Sequence, residues 1–512
     1  MDLLSRGVME AGWGIYSMSA KVSAAEEMYE AALKSGIPER RIKYWGPGSG
    51  ECFNWADYEY HGYGTRKGSV DGLMSAFKSA VEVMMRSAGQ KASEPFWEFM
   101  NDQAFANLFF IDGQANGGIS LSRILEILQT LPRTDQDLDE PHRFPSLIAL
   151  KAAQRNCPPE QRRALKLAED WMQTQMVGLS ERTRSCVEAM AIGMLDGQCR
   201  DTMQEAMGGA STWTPEEIGE HGWVVICAYD VKRFGVIGKL INVLGKVAVY
   251  KKAERRLQQY RGNMSACRPI AVIADEAQFF MDSVSDLDFL RTSRESRAAC
   301  FWSIQSIPSV VAELGGGDVA RNMVDALGSM FQTKIFNQND CDVTNKKCAA
   351  WIGEETAKSY GQSIGVNGRG ESNVSLNWNE RMEPLVATTA FQRLPRGGRE
   401  FKWEVRAFVM MAGHAWKCNE GRYWAKIKFF QNCEPEKPLK WWQWFRPQVP
   451  VSIHFDKVPT ARKWSRHIPW RTLALELWSE KDPQKRKRIL ERWCWFWRGK
   501  DEEFCKEARN AR

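Results

Sequence analysis

Two adjacent carboxylates at the end of an apolar stretch are the residues of this sequence best suited to chemistry. Ile270–Ala274 is wholly apolar, and Asp275 and Glu276 follow it directly. In nucleotide hydrolysis, one carboxylate can hold Mg²⁺ while another orients and deprotonates the attacking water. The pair therefore predicts a nucleotide-hydrolysing site, although a strand that ends in Asp-Glu can also simply cap the next helix.

A second strand-like stretch and a basic cluster follow the carboxylates. Residues 301–306 predict a strand that ends in Gln305 and Ser306, and a glutamine at this end can contact a γ-phosphate or its attacking water. Between the two strands lies a cluster of three arginines, Arg291, Arg294 and Arg297. A helix C-terminus attracts cations for structural reasons, but an arginine can also stabilise charge that develops on a neighbour's phosphate. Both interpretations of the cluster stay open.

Short, continuous apolar runs predict the elements that position these residues. Residues 223–228 and 269–274 form two such runs, which are typical of parallel strands buried on both faces. Near the N-terminus, residues 13–19 predict a strand and residues 24–34 predict a helix. Ligands bind at the carboxyl ends of the strands in open parallel sheets, which is where the carboxylate pair would lie.

The pattern divides the chain into four segments. Residues 1–70 and 216–430 have α/β character, and residues 71–215 between them have helical spacing almost throughout, which predicts an all-α insert. Residues 431–512 form a basic tail that holds nine of the 22 tryptophans; from Asn432 onward it has 19 Lys and Arg against 11 Asp and Glu. This composition suits single-stranded nucleic acid, a membrane surface, or a small domain with its tryptophans buried.

Composition excludes several classes of protein. With 44% apolar and 26% charged residues, the chain has ordinary globular composition and is neither disordered nor fibrous. It contains no run of about 18 apolar residues that would predict a membrane-spanning helix, and no signal peptide is visible. Its 13 cysteines include no C-x-x-C pair and its six histidines lack metal-ligand spacing, so we expect reduced thiols rather than disulfides or a zinc site.

The order of these residues resembles the TraG/TraD-type coupling-protein ATPases of conjugation and type IV secretion. Arg294 follows Glu276 by eighteen residues, and Gln305 follows Arg294 by eleven. The resemblance covers roughly residues 7–413. Further matching pieces occur in the same order: Gly12–Gly14 with Lys21, Phe53–Tyr58, Phe96–Trp97, Gly178–Arg184, Phe331–Asp340, Trp351–Thr356, Glu380–Arg381, Leu394–Gly398 and Val405–Met410.

The resemblance implies a fold and a role for each site residue. The fold would be α/β, a RecA-like P-loop NTPase with a parallel sheet flanked by helices, carrying the all-α insert and the basic Trp-rich tail. ATP and Mg²⁺ would be the cofactors. Asp275 would hold the metal, Glu276 would be the general base and Gln305 would sense the γ-phosphate. Arg294, or alternatively Arg297, would act on the adjacent subunit's nucleotide, and Lys21 would assist near the phosphates.

The resemblance also implies partners. Six copies of the chain would form a homo-hexamer around a channel. ATP hydrolysis would drive single-stranded DNA through this channel. The insert would receive a relaxase–DNA cargo or another secretion substrate and deliver it to the type IV secretion channel. The protein would lie in the cytoplasm at the inner face of the bacterial membrane.

One departure from the family is large. The family binds phosphates through G-x-x-x-x-G-K-[ST], whose backbone amides and lysine cradle the anion, and this sequence contains no such motif. Its Gly-Lys pairs at Gly238, Gly245 and Gly499 are not followed by Ser or Thr, and the glycine-rich run 46–50 lacks a lysine. We expect the first strand, the loop and any membrane anchor to be missing before the region that matches Met1–Gly14, through truncation, a misassigned start or a natural short form. We therefore expect little or no hydrolysis by this chain alone.

Two other functions stay open. The first is a DNA motor of the FtsK/HerA kind that works outside secretion, although the large helical insert at residues 71–215 favours the coupling proteins. The second is a non-catalytic module that binds nucleic acid or cargo through its insert and its basic tail, because the phosphate loop is absent.

Overall fold

The computed structural model describes residues 2–62, 70–87, 95–282, 285–366 and 372–430. Within these ranges the chain forms two units: residues up to Ile304 with 313–320, and residues 305–312 with those from Arg321 onward. The Trp-rich tail at 431–512, for which three interpretations stay open, lies outside the described residues. The predicted boundaries of the four segments stay a prediction.

A parallel five-stranded sheet forms the centre of the first unit. Its strands lie in the spatial order β2-β3-β1-β4-β5. They are β1 Gly14–Met18, β2 Ile42–Trp45, β3 Val224–Cys227, β4 Ile270–Ala274 and β5 Ala298–Trp302. Every residue of β1, β3 and β4 is buried, as expected for apolar strands covered on both faces. The predicted α/β class with a parallel sheet flanked by helices is thus confirmed.

Strand β5 differs from the sequence prediction in its bounds. It begins at Ala298 and ends at Trp302, whereas the apolar pattern suggested a strand that continues to the Gln-Ser pair. The ladder explains the early end: Ala274 is the last residue of β4 and pairs with Trp302. The chain turns away after that pair, so Gln305 lies three residues beyond the strand.

Helices occupy most of the remaining first unit. In chain order they are α1 Asp2–Glu10, α2 Val22–Lys34, α3 Trp55–His61, α4 Val70–Ser87, α5 Pro95–Asn116, α6 Leu121–Gln129, α7 Asp135–Asp139, α8 Pro145–Asn156, α9 Arg162–Asp170, α10 Met176–Gly178, α11 Glu181–Asp196, α12 Asp201–Met207, α13 Val231–Gln259 and α14 Ser285–Thr292. Helices α4 to α12 agree with the helical pattern predicted between residues 71 and 215. In the described part of the chain, no helix combines the length and apolar character needed to cross a membrane.

The two faces of the sheet are covered by different helices. Ile15 packs with Val8 of α1 and Ala32 of α2 in one apolar cluster. Tyr16 points to the opposite face, because neighbouring residues of a strand alternate, and its hydroxyl donates a 2.9 Å hydrogen bond to the carbonyl of Asn242 on α13. Helices therefore cover both faces, which leaves the edges formed by the strand ends for ligands.

At Gly245, α13 packs closely against side chains of the sheet. A Cβ atom at this position would lie 2.7 Å from Tyr16 Cζ and 3.1 Å from Trp45 Cζ3. We expect Gly245→Ala to lower the free energy of unfolding by about 1–3 kcal/mol, because both rings are buried and cannot yield easily. Chemical denaturation of the full chain measures this change.

A glycine in an open part of a helix provides the control for Gly245. A methyl group added at Gly193 of α11 would meet no other atom within 4 Å. There, alanine should raise the free energy of unfolding by up to about 1 kcal/mol through helix propensity alone. Equal effects at the two glycines would contradict the close packing of α13 on the sheet.

The second unit is built on antiparallel strands. Its elements in chain order are α15 Ile307–Glu313, α16 Gly317–Met330, β6 Thr333–Phe336, α17 Asp342–Ile352, β7 Glu354–Val366, β8 Ser372–Pro384, α18 Thr388–Gln392, β9 Glu404–Met411 and β10 Trp424–Phe430, of which α15 and α16 are shared with the first unit. Strands β10, β9 and β6 form a three-stranded sheet, and β7 and β8 form a separate two-stranded ribbon. Phe336, Ile352, Phe391 and Phe408 form a buried cluster in this unit.

Candidate site at the carboxyl edge of the parallel sheet

The carboxyl ends of β1 and β4 bring the predicted residues together. The register pairs Met18 with Ala274, so the two neighbouring strands end at the same level. Lys21 follows β1 by three residues, and Asp275 and Glu276 follow β4 directly. The Lys21 ammonium group forms an ion pair with Glu276 Oε1. Of the sequence-predicted site residues, Lys21, Asp275 and Glu276 therefore share one sheet edge.

The Lys21–Glu276 pair has one exposed and one buried partner. The Lys21 side chain is 40% exposed, whereas the Glu276 side chain is 9% exposed. The hydrogen bond with Glu276 raises the pKa of Lys21, and the charges of Glu276 and Asp275 act in the same direction. Lys21 thus stays protonated at neutral pH and places a positive charge beside both carboxylates. A cation in this position can pair with an anionic ligand at the same edge.

Replacing Lys21 with methionine separates this electrostatic role from stability. Because the ammonium group is well exposed, we expect the free energy of unfolding to change by less than about 1 kcal/mol. Affinity for a magnesium–nucleotide complex should fall by about tenfold or more, since a charge-assisted hydrogen bond is lost. Nucleotide titration and denaturation of the same variant provide both values.

Lys34→Met is the matched control for Lys21. Lys34 lies on the helix that follows Lys21 and pairs with Glu30 in an exposed i, i+4 ion pair. Its replacement should leave nucleotide affinity unchanged. Unaltered affinity in the Lys21 variant would show that this lysine has no part in binding.

Glu276 has an unusual backbone conformation. Its φ of 55° and ψ of 51° lie in the left-handed region, which costs a non-glycine residue free energy. Ser303, just after β5, holds it in place: the Glu276 amide donates to Ser303 Oγ at 3.2 Å, and the Ala277 amide donates to the Ser303 carbonyl at 2.7 Å. Such strain persists only where surrounding contacts impose it, and it is frequent at functional sites.

Asp275 provides a metal ligand of the kind that magnesium uses. Its Oδ1 accepts a 2.5 Å hydrogen bond from Ser303 Oγ, which fixes the carboxylate at the sheet edge. Within the described ranges, no group of three or more His, Cys, Asp or Glu side chains could enclose a metal ion. Magnesium commonly binds through one or two carboxylates, with water and substrate phosphates completing its coordination. Asp275 therefore fits a magnesium ion that arrives with a nucleotide.

Two buried polar atoms at the same edge lack protein partners. Ser19 lies just after β1, and Asp230 lies just after β3. The Oγ atom of Ser19 and the Oδ2 atom of Asp230 have no hydrogen-bond partner among the described residues. Both side chains are about 1% exposed. Since buried polar atoms normally find a partner in protein, water or ligand, these atoms indicate a polar environment suited to water and phosphate oxygens.

The described glycine-rich and Gly-Lys segments are engaged elsewhere. The amide of Gly48, in the run 46–50, donates to Glu205 Oε1 at 2.6 Å. On α13, Lys239 pairs with Glu313 at 2.6 Å. Lys246 belongs to the second Gly-Lys pair on α13 and is fully buried. Its ammonium group donates to Asp286 Oδ1 at 2.7 Å and to the Phe280 carbonyl at 2.6 Å. None of these described segments forms a phosphate cradle beside Asp275; Gly499 lies outside the described residues.

Comparison with known families identifies the region that carries the carboxylates. Residues 210–409 match the family model described as the type IV secretion-system coupling protein DNA-binding domain. Residues 210–409 are therefore similar to this domain of the type IV secretion coupling proteins. The resemblance to TraG/TraD-type coupling proteins is thereby confirmed.

Solved structures of the conjugative coupling protein TrwB are similar to this chain. In each of three such structures, the matched region covers 84% of this chain and 88% of the TrwB chain. The unbound TrwBdeltaN70 form shows 11% identity and a TM-score of 0.49. The TrwB complex with ADP and Mg²⁺ shows 12% identity and a TM-score of 0.49. The TrwB complex with the GTP analogue GDPNP shows 13% identity and a TM-score of 0.44. A search of curated proteins found no match.

The structure places Arg294 away from the carboxylates of the same chain. Arg294 is exposed and precedes β5, so it lies at the amino edge of the sheet, opposite Asp275. A five-residue strand separates the edges by roughly 16 Å, which prevents contact within one chain. Arg297, the alternative in the arginine cluster, donates to the carbonyls of Met264 and Ser265 at 3.2 and 2.5 Å and is thus structural. Action of Arg294 on a neighbouring subunit stays a prediction.

Gln305 belongs to the second unit. It is exposed, and its carbonyl accepts a 2.8 Å hydrogen bond from Asn339 Nδ2. Its proposed contact with a γ-phosphate stays a prediction.

Ser303 is the site residue that sequence reasoning missed. It contacts Asp275 through its hydroxyl and Glu276 through the Glu276 amide. The available signal was its position directly after an apolar strand, next in the sheet to the strand that bears the carboxylates. A lone serine inside an apolar run has no chemical pattern of its own, so only the pairing of β4 with β5 reveals its role.

Proposed function

We propose that this chain is the ATP-driven DNA-translocating coupling protein that delivers a nucleoprotein cargo to a type IV secretion channel. The observation that carries the proposal is the strained Glu276, clamped by Ser303 and paired with Lys21 next to Asp275. It lies within the region that matches the coupling-protein family. That match, rather than one to another class of DNA motor, favours conjugation over the FtsK/HerA alternative.

Each residue at the edge has a defined role in the proposed reaction. When bound, magnesium-ATP supplies the phosphoryl group and the metal charge. Asp275 would hold the metal through the oxygen that Ser303 leaves available. Glu276 would orient a water molecule and accept its proton on a carboxylate oxygen. Lys21 would exchange its ion pair with Glu276 for one with phosphate.

The larger assembly forms part of the same proposal. An exposed arginine at the opposite sheet edge can contact phosphates only in an adjacent subunit, which supports a ring such as a homo-hexamer. Single-stranded DNA would pass through it, with a relaxase or another secretion substrate as cargo. The protein would work in the cytoplasm at the inner face of the bacterial membrane.

A second candidate function is a DNA- or cargo-binding module without hydrolysis. The sequence has no phosphate-loop motif, and the Gly48 amide and the Lys246 ammonium group are already bound to carboxylates. A chain of this kind would bind DNA, but it would turn over no ATP.

ATP hydrolysis by the purified full chain distinguishes the two candidates. If the chain is the proposed motor, its turnover should require Mg²⁺ and rise when single-stranded DNA is added, and its rate should be low because the sequence contains no phosphate-loop motif. DNA binding without any turnover would overturn the proposed ATPase and support the binding module. Absence of both activities would overturn both.

A further inference from the structure

A short loop before β9 has a closed and well-defined base. Arg396 and Val405 form an antiparallel bridge, and the Arg406 amide donates to the Pro395 carbonyl at 3.0 Å. We refer to residues 396–405 as the basic loop. Because its two ends are paired, the loop is a closed, hairpin-like turn in the second unit rather than an extended linker.

The tip of the basic loop has a strained backbone. Lys402 and Trp403 are consecutive and both have positive φ, 51° and 62°, in a region that glycine and asparagine normally occupy. The Lys402 amide donates to the Arg399 carbonyl at 3.1 Å, and the Trp403 amide donates to the Gly398 carbonyl at 2.8 Å. These bonds hold an unfavourable conformation, and strain that is maintained in this way commonly marks a recognition site.

The strained tip presents an indole and two cations to solvent. Trp403 is 39% exposed although it is a large aromatic residue, and Arg399 and Lys402 are exposed beside it in sequence. Among the described residues, neither of these two cations has an ion-pair partner. The acidic residues of the loop pair with other cations: Glu400 with Arg396 at 3.8 Å, and Glu404 with Arg406 and Lys428.

The sequence around the basic loop is strongly positive. Residues 393–428 contain nine Lys and Arg against three Asp and Glu, an excess of six in a chain whose total net charge is +7. An excess of positive charge at this density favours a polyanionic partner. An exposed tryptophan among the cations adds a surface on which a flat, unstacked base can lie.

We infer that the basic loop binds single-stranded DNA, with Trp403 stacked on a base and Arg399 and Lys402 on flanking phosphates. A single indole can stack only on a base that is free of its neighbours, so the single strand is favoured over the duplex. The inference rests on the proposed DNA-translocating function and deepens it, because it names residues that contact the transported strand. It is independent of the carboxylates that would hydrolyse ATP.

Binding of a fluorescent single-stranded oligonucleotide to the full chain, measured by anisotropy over a range of salt concentrations, tests the inference. Trp403→Ala should weaken binding by about tenfold without altering the salt dependence, since stacking releases no counterions. Arg399→Ala with Lys402→Ala should instead reduce the slope of log affinity against log salt by about 1.4, because each single-strand phosphate contact contributes roughly 0.7.

Matched variants separate the loop from general effects. Trp378→Ala removes another exposed tryptophan, 63% exposed, and should leave binding unchanged. Arg40→Ala with Lys346→Ala removes the same charge from exposed positions elsewhere and should leave the salt slope unchanged. Trp403→Phe retains an aromatic ring and should restore most of the affinity. Circular dichroism establishes that each variant is folded.

Wild-type affinity and salt slope in both loop variants would overturn the inference, as would equal losses in the matched controls. Photo-crosslinking provides a second test: an oligonucleotide containing 5-iododeoxyuridine should crosslink within residues 396–405. Crosslinks confined to other segments would also overturn it. The loop variants should keep the DNA-independent rate of ATP hydrolysis, so failure of this inference is distinguishable from failure of the proposed ATPase.

Discussion

Glu276→Gln is expected to lower the DNA-stimulated rate of ATP hydrolysis by at least about a hundredfold, because an amide cannot accept the proton of the attacking water. The substitution preserves size and shape, and the backbone clamp from Ser303 to residues 276 and 277 remains available. Nucleotide binding should therefore change much less than turnover. Steady-state hydrolysis and nucleotide titration of the same preparation measure the two effects separately.

Glu30→Gln is the matched control for this prediction. Glu30 lies on α2, its side chain is 66% exposed, and it also pairs with a lysine. Its replacement should leave hydrolysis unchanged. A Glu276→Gln chain that hydrolyses ATP at the wild-type rate would show that Glu276 is not the general base.

Lys246→Met is expected to lower the free energy of unfolding by about 3–5 kcal/mol, because it leaves a carboxylate buried without its counter-ion. Lys246 and Asp286 are both 0% exposed, and their charged atoms are 2.7 Å apart. Asp286 Oδ2 also accepts a 2.7 Å hydrogen bond from the Asp282 amide. The pair thus links α13 to α14 and to the segment that follows Glu276.

The decrease in the free energy of unfolding caused by Lys246→Met should depend on pH. Burial raises the pKa of Asp286, and Lys246 opposes that rise. Without Lys246 the folded-state pKa rises further above its unfolded value, so the folded state binds the proton more readily as pH falls. The destabilisation should therefore be smaller at about pH 5 than at about pH 8, above the ordinary carboxyl pKa. Denaturant midpoints across this range measure it.

A double variant tests whether the destabilisation by Lys246→Met is electrostatic. Lys246→Met with Asp286→Leu removes both charges and fills much of the space, so it should recover most of the lost stability. If the double variant is as unstable as the single one at every pH, packing rather than the unpaired charge determines the loss.

The sequence predicted the elements of the site because its signals are local. The apolar run before Asp275 and Glu276 predicts a buried strand, and β4 agrees with this prediction. The role of the two carboxylates in hydrolysis stays a prediction. The helical spacing of residues 71–215 likewise predicted the helices that the structure contains. Lys21 has no local signal and was selected through the family resemblance, yet it lies against Glu276 because β1 is next to β4.

The unpredicted features depend on contacts between distant segments. Ser303 reaches Asp275 only because β5 pairs with β4, and the left-handed conformation of Glu276 follows from that pairing rather than from its residue type. The end of β5 at Trp302 was also mispredicted, because an apolar residue continues the pattern at Ile304 after the ladder has ended. The strained turn at Lys402 and Trp403 contains no glycine or asparagine that would predict it.

Nucleotide titration shows most directly whether the carboxyl edge of the parallel sheet binds a magnesium–nucleotide complex, on which the proposed ATPase depends. A fluorescent ATP analogue would be titrated into the wild-type chain and into Asp275→Asn, with and without Mg²⁺. We expect saturable binding that requires Mg²⁺ and weakens by about tenfold or more in the variant. Absence of saturable binding by the wild-type chain, or equal binding by the Asp275 variant, would contradict a nucleotide site at this edge.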